Sequence, residues 1–368
     1  MTTKNKRKVC HFTSTHPYKD TRIFLKQCTS LTKNYDVYLV NTNSPIEETQ
    51  LNNIQLITVN YQTKSRIKRV LFTTFKVYKK ALALNADIYH FHDPDLIFYG
   101  FLLRLRGKKV IYDVHESYAA ALLDRSYIPV FFRKPLSLIF NVFEKFFSAF
   151  FTYIITATPY INSEFKFFNK KRETINNFPI LNELNLDNVD TPKENAVCFV
   201  GYLSKERGFY EMLEATKRAG LTFYIAGDMP KEFKEIVQNS EHVVYLGFIN
   251  RKQFAELMSK CLAGFVLYHP CRNHINAQPN KLFEYMSAKL PVIASYFPLW
   301  KDIIEKYDCG KCCNPNDVNH ITTILNWIKE NKDELPDLGK NGFEAVKAVF
   351  NWSIEEKKLF EVYERVLK

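Results

Sequence analysis

The sequence has no apolar run of the roughly 20 residues that a membrane-spanning helix needs, because charges interrupt every candidate stretch. The chain can lie on a bilayer but not cross it. Repeats and low-complexity tracts are also missing, which excludes collagen-like and disordered classes. Residues 1–8 are polar and basic, and no apolar segment long enough for a secretory signal follows, so the expectation is a cytoplasmic protein with reduced thiols. Of the eight cysteines, Cys10, Cys28, Cys198, Cys261 and Cys271 are scattered. Cys309 and Cys312 have the spacing of half a zinc site, but no second Cys/His pair at ligand spacing follows, and no metal is expected.

The chain has 368 residues, 46% of them hydrophobic and 24% charged. That composition and length suit two globular domains and exclude a disulfide-stapled miniprotein. Formal charge is +12 overall. It is distributed unevenly: residues 1–180 hold 27 Lys and Arg against 13 Asp and Glu, a net of +14, and the remainder is −2. One half of the chain therefore faces something anionic, either nucleic acid or an acidic membrane surface.

Short apolar runs alternate with helical patterns throughout, which predicts an α/β fold of parallel sheets. Strands are expected at 8–13, 35–41, 54–59, 88–92, 109–113 and 153–157, and a second series at 196–200, 222–226, 243–246, 263–267 and 292–294. The reading is two Rossmann-like, doubly wound domains, 1–178 and 179–350, with a C-terminal helix over 351–368 returning toward the first. Ligands of such folds bind at the carboxyl ends of the strands.

Two stretches of the first domain depart from this pattern. Residues 61–86 carry Lys64, Arg66, Lys68, Arg69, Lys76, Lys79 and Lys80 and no acidic residue, while Ile67, Leu71, Phe75, Tyr78 and Leu82 recur at helical spacing. This is a basic amphipathic helix suited to an anionic membrane surface. In residues 131–151, eight of 21 positions are Phe, and Ser137, Asn141, Glu144, Lys145 and Ser148 leave only a narrow polar stripe. The alternative is that both helices simply cover the sheet.

The most specific segment runs from Gln278-Pro279-Asn280-Lys281 through Glu284 to Ala294. It reads as a helix with Pro279 at its start, followed by a buried strand. Free amides at a helix start attract phosphate, Lys281 adds a positive charge, and Glu284 can accept hydrogen bonds from ribose hydroxyls. Together they describe a nucleoside-diphosphate seat.

This segment, with Phe199-Val200-Gly201-Tyr202-Leu203-Ser204-Lys205-Glu206-Arg207-Gly208 before it, resembles the retaining glycosyltransferases of family four, which have the GT-B fold. In the first half His11 to Pro17, Asp20 to Phe24, His92-Asp93-Pro94-Asp95 and Tyr112-Asp113-Val114-His115-Glu116 resemble further motifs of that family. The resemblance implies a sugar moved from a UDP or GDP donor, without a metal or other cofactor, to an acceptor held by the N-terminal domain. It implies that Arg207 and Lys281 neutralise the donor diphosphate, that Glu284 binds the ribose, and that His115 faces the transferred sugar. Tyr202, Lys205, Asn276, Gln278, Pro279 and Asn280 complete the implied donor side; Thr15, His16, Asp20, Arg22 and Glu116 join His115 on the acceptor side.

Three departures stand out. Asn276 replaces the first Glu of the family's paired-Glu motif, Tyr202 replaces a common second Arg, and the glycine-rich loop after the first strand is missing. No carboxylate pair is evident as nucleophile and acid. Asp20 and Arg22 could form no more than a structural ion pair. Joined to the basic half, the resemblance predicts a lipid-linked glycan acceptor in surface polysaccharide synthesis, at the inner face of the cytoplasmic membrane. The alternatives are an epimerase of the same fold or, without any readout motif, a nucleic-acid-binding protein.

Overall fold

Runs of aliphatic and aromatic residues that must be buried on both faces become central parallel strands. The computed structural model describes residues 6–42, 48–60, 65, 68–125, 127–181, 183 and 192–368. The chain forms two units, Met1–Asn177 with Ile354–Lys368, and Phe178–Ser353.

The sheet of the first unit contains β1 (Lys8–Phe12), β2 (Asp36–Asn41), β3 (Glu48–Leu51), β4 (Ile54–Thr58), β5 (Ile88–Phe91), β6 (Lys109–Val114), β7 (Tyr153–Thr156) and β8 (Arg172–Thr174). Their order is β3-β4-β2-β1-β5-β6-β7-β8, and only β3 runs antiparallel, against β4. Chain order reverses between β1 and β5, the point where a doubly wound sheet leaves a crevice at its strand ends.

The second unit contains β9 (Ala196–Val200), β10 (Thr222–Ala226), β11 (Val243–Tyr245), β12 (Ala263–Val266), β13 (Val292–Ser295) and β14 (Gly310–Cys313). Their order, β11-β10-β9-β12-β13-β14, is the six-strand dinucleotide-fold order with its switch between β9 and β12. Strand β14 carries no β-branched residue and has no clear sequence signal. Gly310 belongs there because a Cβ would lie 2.0 Å from the Val292 carbonyl oxygen. The short edge strands β3 and β8 likewise escaped the alternation pattern.

The helix Val130–Ser148 is apolar on two sides, with a buried polar stripe. Its buried residues are Glu144, Lys145 and Ser148, whereas Phe131 is 81% exposed and Leu138, Ile139, Val142 and Phe146 also face outward. The polar stripe has partners inside: Glu144 accepts from the Tyr112 hydroxyl at 2.8 Å, Lys145 lies 3.3 Å from the Phe165 ring centre, and Ser137 donates to the Ala119 carbonyl. Burial raises the Glu144 carboxyl above its ordinary range. Phe140, Phe143 and Phe147 pack against the core of this unit, so the helix covers it with part of its apolar surface and leaves the rest outward.

The basic helix is described from Lys68 onward. A widened turn, Arg69–Thr73, leads into the helix Thr74–Ala83. Val77, Tyr78 and Ala81 are buried, while Leu71, Phe72 and Phe75 are exposed together with Lys68, Lys76, Lys79 and Lys80. Lys64 and Arg66 lie outside the described residues. No helix among the described residues is long and apolar enough to cross a membrane.

The C-terminal helix Trp352–Leu367 supplies Ile354–Lys368 to the first unit. There Glu355 accepts from the backbone and side-chain amides of Asn176 at 2.9 and 3.2 Å, and Glu356 pairs with Lys33 at 2.7 Å. Leu359, Val362, Tyr363 and Val366 are buried.

Candidate functional site

In the first unit the ends of β1, β5 and β6 bring together residues far apart in sequence. Arg22, just inside the widened turn Thr21–Cys28, donates through Nε and Nη2 to the two oxygens of Asp113 at 3.0 and 2.7 Å. Gln27 adds a bond to the same carboxylate at 2.8 Å. Asp20 instead caps the turn, accepting from the amides of Arg22 and Ile23 at 2.8 Å. Asp20 and Arg22 are thus not paired with each other, since each is committed elsewhere. Burial alone would raise Asp113, but Arg22, and then His115, outweigh it and hold the carboxyl well below its usual range.

His115, at the end of β6, sets Nε2 at 3.1 Å from Asp113 Oδ2 and 3.3 Å from His92 Nδ1. A line of side chains continues inward: His92 Nε2 meets His11 Nδ1 at 2.9 Å, and the Tyr363 hydroxyl bridges His11 at 3.0 Å and His90 at 2.8 Å. Burial is the main reason that His11 and His90 titrate well below the ordinary range and His92 at about 3. These three imidazoles are neutral at any physiological pH.

The rim is built by the loop after β1. Asp93 accepts from the Thr13 hydroxyl at 2.6 Å, the Ser14 amide at 2.7 Å and the Thr15 hydroxyl. His16 lies 3.6 Å from Asp20 and 3.5 Å from Asp93 and packs on the His115 ring at 4.8 Å between centroids. Burial would lower its pKa, but Asp20 and Asp93 together raise it. Thr15, His16, His115 and Glu116 all line a pocket of about 640 Å³, which Val70 of the basic helical segment also borders. Asp20 and Arg22 support this pocket from behind without lining it.

In the second unit, the switch between β9 and β12 carries Gly201-Tyr202 and the turn Lys205–Arg207. The chain can pass here because Gly227 has φ +120° and a Cβ on it would lie 2.1 Å from the Gly201 oxygen. Arg207 donates to the Tyr202 carbonyl at 2.7 Å and lies 5.2 Å from the centre of the Tyr268 ring, so its guanidinium is held before any ligand arrives. Tyr202 and Lys205 are exposed beside it.

Pro279 caps the helix Asn280–Ser287 without a side-chain cap bond. One turn in, the Glu284 carboxylate takes Arg251 Nη1 at 3.0 Å on Oε1 and Lys281 Nζ at 2.5 Å on Oε2. Arg251 also reaches Glu183 at 3.0 Å. Burial would raise Glu284, but Lys281, followed by Arg251, keeps it ionised and below the ordinary range. Each of its oxygens retains a lone pair for a ligand hydroxyl. Asn276 turns its amide to the Arg272 carbonyl at 3.1 Å. The Gln278 side-chain oxygen is buried without a hydrogen-bond partner among the described residues. Sequence reasoning missed Arg251 and Tyr268; neither belongs to a quoted motif, and only the fold brings them to Glu284 and Arg207.

Two groups have donor atoms close enough for a metal ion, His11/His90/His92 and His92/Asp113/His115. Both nitrogens of His11 and His92 already face hydrogen-bond partners, and Asp113 is held by Arg22 and Gln27. An ion would have to break that set, so these donors fit a hydrogen-bonded network better than a metal site.

The sequence matches Glycosyltransferase Family 4 over residues 22–178 and Glycosyl transferases group 1 over residues 185–345. No curated protein matches it. Among solved structures, sucrose-phosphate synthase from Thermosynechococcus elongatus is similar at 15% identity and TM-score 0.74, covering 98% of this chain and 99% of that one. Anabaena HepE in complex with UDP and glucose has 14% identity and TM-score 0.72, over 97% and 99%. WaaG, a glycosyltransferase involved in lipopolysaccharide biosynthesis, has 13% identity and TM-score 0.71, over 96% and 99%.

Proposed function

Because the chain belongs to the group 1, family 4 glycosyltransferases of GT-B fold, we propose that it moves a sugar from a nucleoside diphosphate to a lipid-linked glycan, with retention and without a metal. The observation that carries the donor assignment is the switch-point cluster of the second unit, with Arg207 held by Tyr202 and Tyr268 and Glu284 held ionised by Lys281 and Arg251. UDP is the favoured nucleotide, in line with the UDP complex of HepE.

Breaking the anomeric bond leaves negative charge on the departing diphosphate oxygen. Cations and helix amides fixed in advance stabilise such charge more than mobile ones, since they need no reorganisation. Arg207 and Lys281 serve this role, while Glu284 accepts hydrogen bonds from the ribose and Asn276, Gln278, Pro279 and Asn280 shape the rest of the seat. His115 stands at the reaction centre as a hydrogen-bonding group for sugar hydroxyls. Retention follows from attack on the face the diphosphate leaves, with a donor phosphate oxygen taking the acceptor proton.

A membrane-borne acceptor is supported by the outward apolar face of Val130–Ser148 and by the exposed Leu71, Phe72 and Phe75 among lysines. Such surfaces on a monomer mark an interaction site, and basic charge beside apolar side chains suits an anionic bilayer. The proposed setting is the cytoplasmic face of the membrane, in the building of a surface polysaccharide. The test is transfer of labelled sugar from UDP- and GDP-sugars to lipid-linked acceptor extracts. Arg207→Ala and Glu284→Ala, confirmed as folded, should abolish it, and full activity in both removes the site assignment. Donor conversion without any acceptor would instead indicate an epimerase.

A further inference from the structure

The pocket of the first unit has a chemistry that narrows what can enter it. Three carboxylates border it, Asp93, Asp95 and Glu116, against the Arg125 guanidinium and the His16 imidazole. Both cations are already matched: Arg125 stands 3.4 Å from Glu116, and His16 lies between Asp20 and Asp93. A phosphate entering here would meet more negative than positive charge and would have to take its cations from carboxylates.

An uncharged sugar meets a better match. Carboxylates accept hydroxyl protons, and the rings of Tyr118 and Tyr127, which also line the pocket, give flat apolar faces for a pyranose ring. Tyr127 is 54% exposed. Tyr118 is braced by Phe140 at 4.8 Å between centroids. His115 adds a directed acceptor. Its Nε2 faces the Asp113 carboxylate, which can only accept, so in the neutral imidazole the proton sits on Nε2 and the lone pair on Nδ1. That Nδ1 has no protein partner among the described residues.

We propose that this pocket receives an uncharged, hydroxyl-rich sugar ring, the end of the acceptor that is extended, and that it discriminates against sugar phosphates. Asp95, Glu116, Tyr118 and Tyr127 set this specificity, and Asp113 is a positioning residue that fixes the His115 tautomer. The proposal rests on the glycosyltransferase reading. Any phosphate of a lipid carrier then stays outside the pocket, on the side where Val70 borders it.

Saturation-transfer NMR on the full chain tests this with methyl glycosides of glucose, galactose and N-acetylglucosamine against the phosphates of the same sugars. UDP binding is followed by calorimetry on the same samples. At least one methyl glycoside should bind, with every sugar phosphate weaker by about tenfold or more. The double variant Asp95→Asn, Glu116→Gln, both changes near-isosteric, should narrow that gap. Equal or tighter binding of a sugar phosphate overturns the proposal, as does failure of every methyl glycoside to bind, or an unchanged gap in the double variant. UDP binding alongside any of these leaves the transferase reading standing; absence of UDP and GDP binding removes that reading instead.

Discussion

At the scale of single residues, a few side chains of extreme burial govern the first unit. His11, His90 and His92 are fully buried and titrate far below the ordinary histidine value, His92 at about 3. An unfolded chain would protonate them near pH 6.5, so below that pH the unfolded state binds more protons than the folded one and stability falls with pH. His16 and Asp113 act differently: raised His16 adds stability that is lost as pH rises, and depressed Asp113 adds stability that is lost only well below pH 4. Between pH 6.5 and 4 the three buried imidazoles dominate, each costing on the order of 1 kcal/mol per pH unit. Urea unfolding should therefore give midpoints that drop steeply over this range, and a flat profile would contradict the neutral network. In the second unit, Tyr268→Leu should raise the KM for the donor while Tyr268→Phe leaves it near wild type, because the ring that holds Arg207 remains. Equal donor KM in the two variants would remove that role. The motifs around His115, Arg207 and Glu284 were legible in the sequence because each is a local word. Arg22 with Asp113, separated by 91 positions, and Arg251 with Glu284, by 33, were not, since only the closed sheets bring them together.

At the scale of elements, the parallel strands were readable because burial on both faces leaves continuous apolar runs. The orientation of the Val130–Ser148 helix was not, because its width of apolar surface is compatible with facing either way. Its polar stripe turned inward because Glu144 and Lys145 find partners there, so that Phe140, Phe143 and Phe147 pack on the core beside it while Phe131, Phe132 and Phe146 stay outside. Two independent forces should then bind this unit to anionic vesicles. Lysines near such a surface contribute about 1 kcal/mol each and are screened by salt, whereas inserted phenylalanines are not. Charge reversal at Lys68, Lys76 and Lys80 should lower flotation with phosphatidylserine vesicles by more than about tenfold at low ionic strength and little at high salt. Phe131→Ser with Phe146→Ser should weaken flotation at both. Flotation unchanged in both sets would exclude these helices as the membrane contact, and binding to DNA with the same salt response would revive the nucleic-acid alternative.

At the scale of the whole molecule, the net charge of +12 is better understood as the property of one unit. The C-terminal segment 354–368 brings that unit four basic and four acidic residues, so the excess of +14 carried by residues 1–180 persists when the chain returns. What the segment supplies is packing: Leu359, Val362, Tyr363 and Val366 are nearly inaccessible. Burying side chains of this size stabilises by about 1.5–3 kcal/mol each, a total comparable with the 5–15 kcal/mol that typically separates folded from unfolded chains. Removing it also strands His11 Nε2 and His90 Nδ1, whose shared partner is the Tyr363 hydroxyl. A chain ending at Ser353 should therefore lose protection from hydrogen exchange throughout β1, β5 and β6. The residues of the proposed donor seat lie within Phe178–Ser353, so the same truncated chain should still release heat on UDP binding, with its exchange protection at β9 and β12 retained. Protection kept in β1 would show that the returning helix is dispensable. Loss of UDP binding along with it would show that the second unit cannot hold the seat without the intact first.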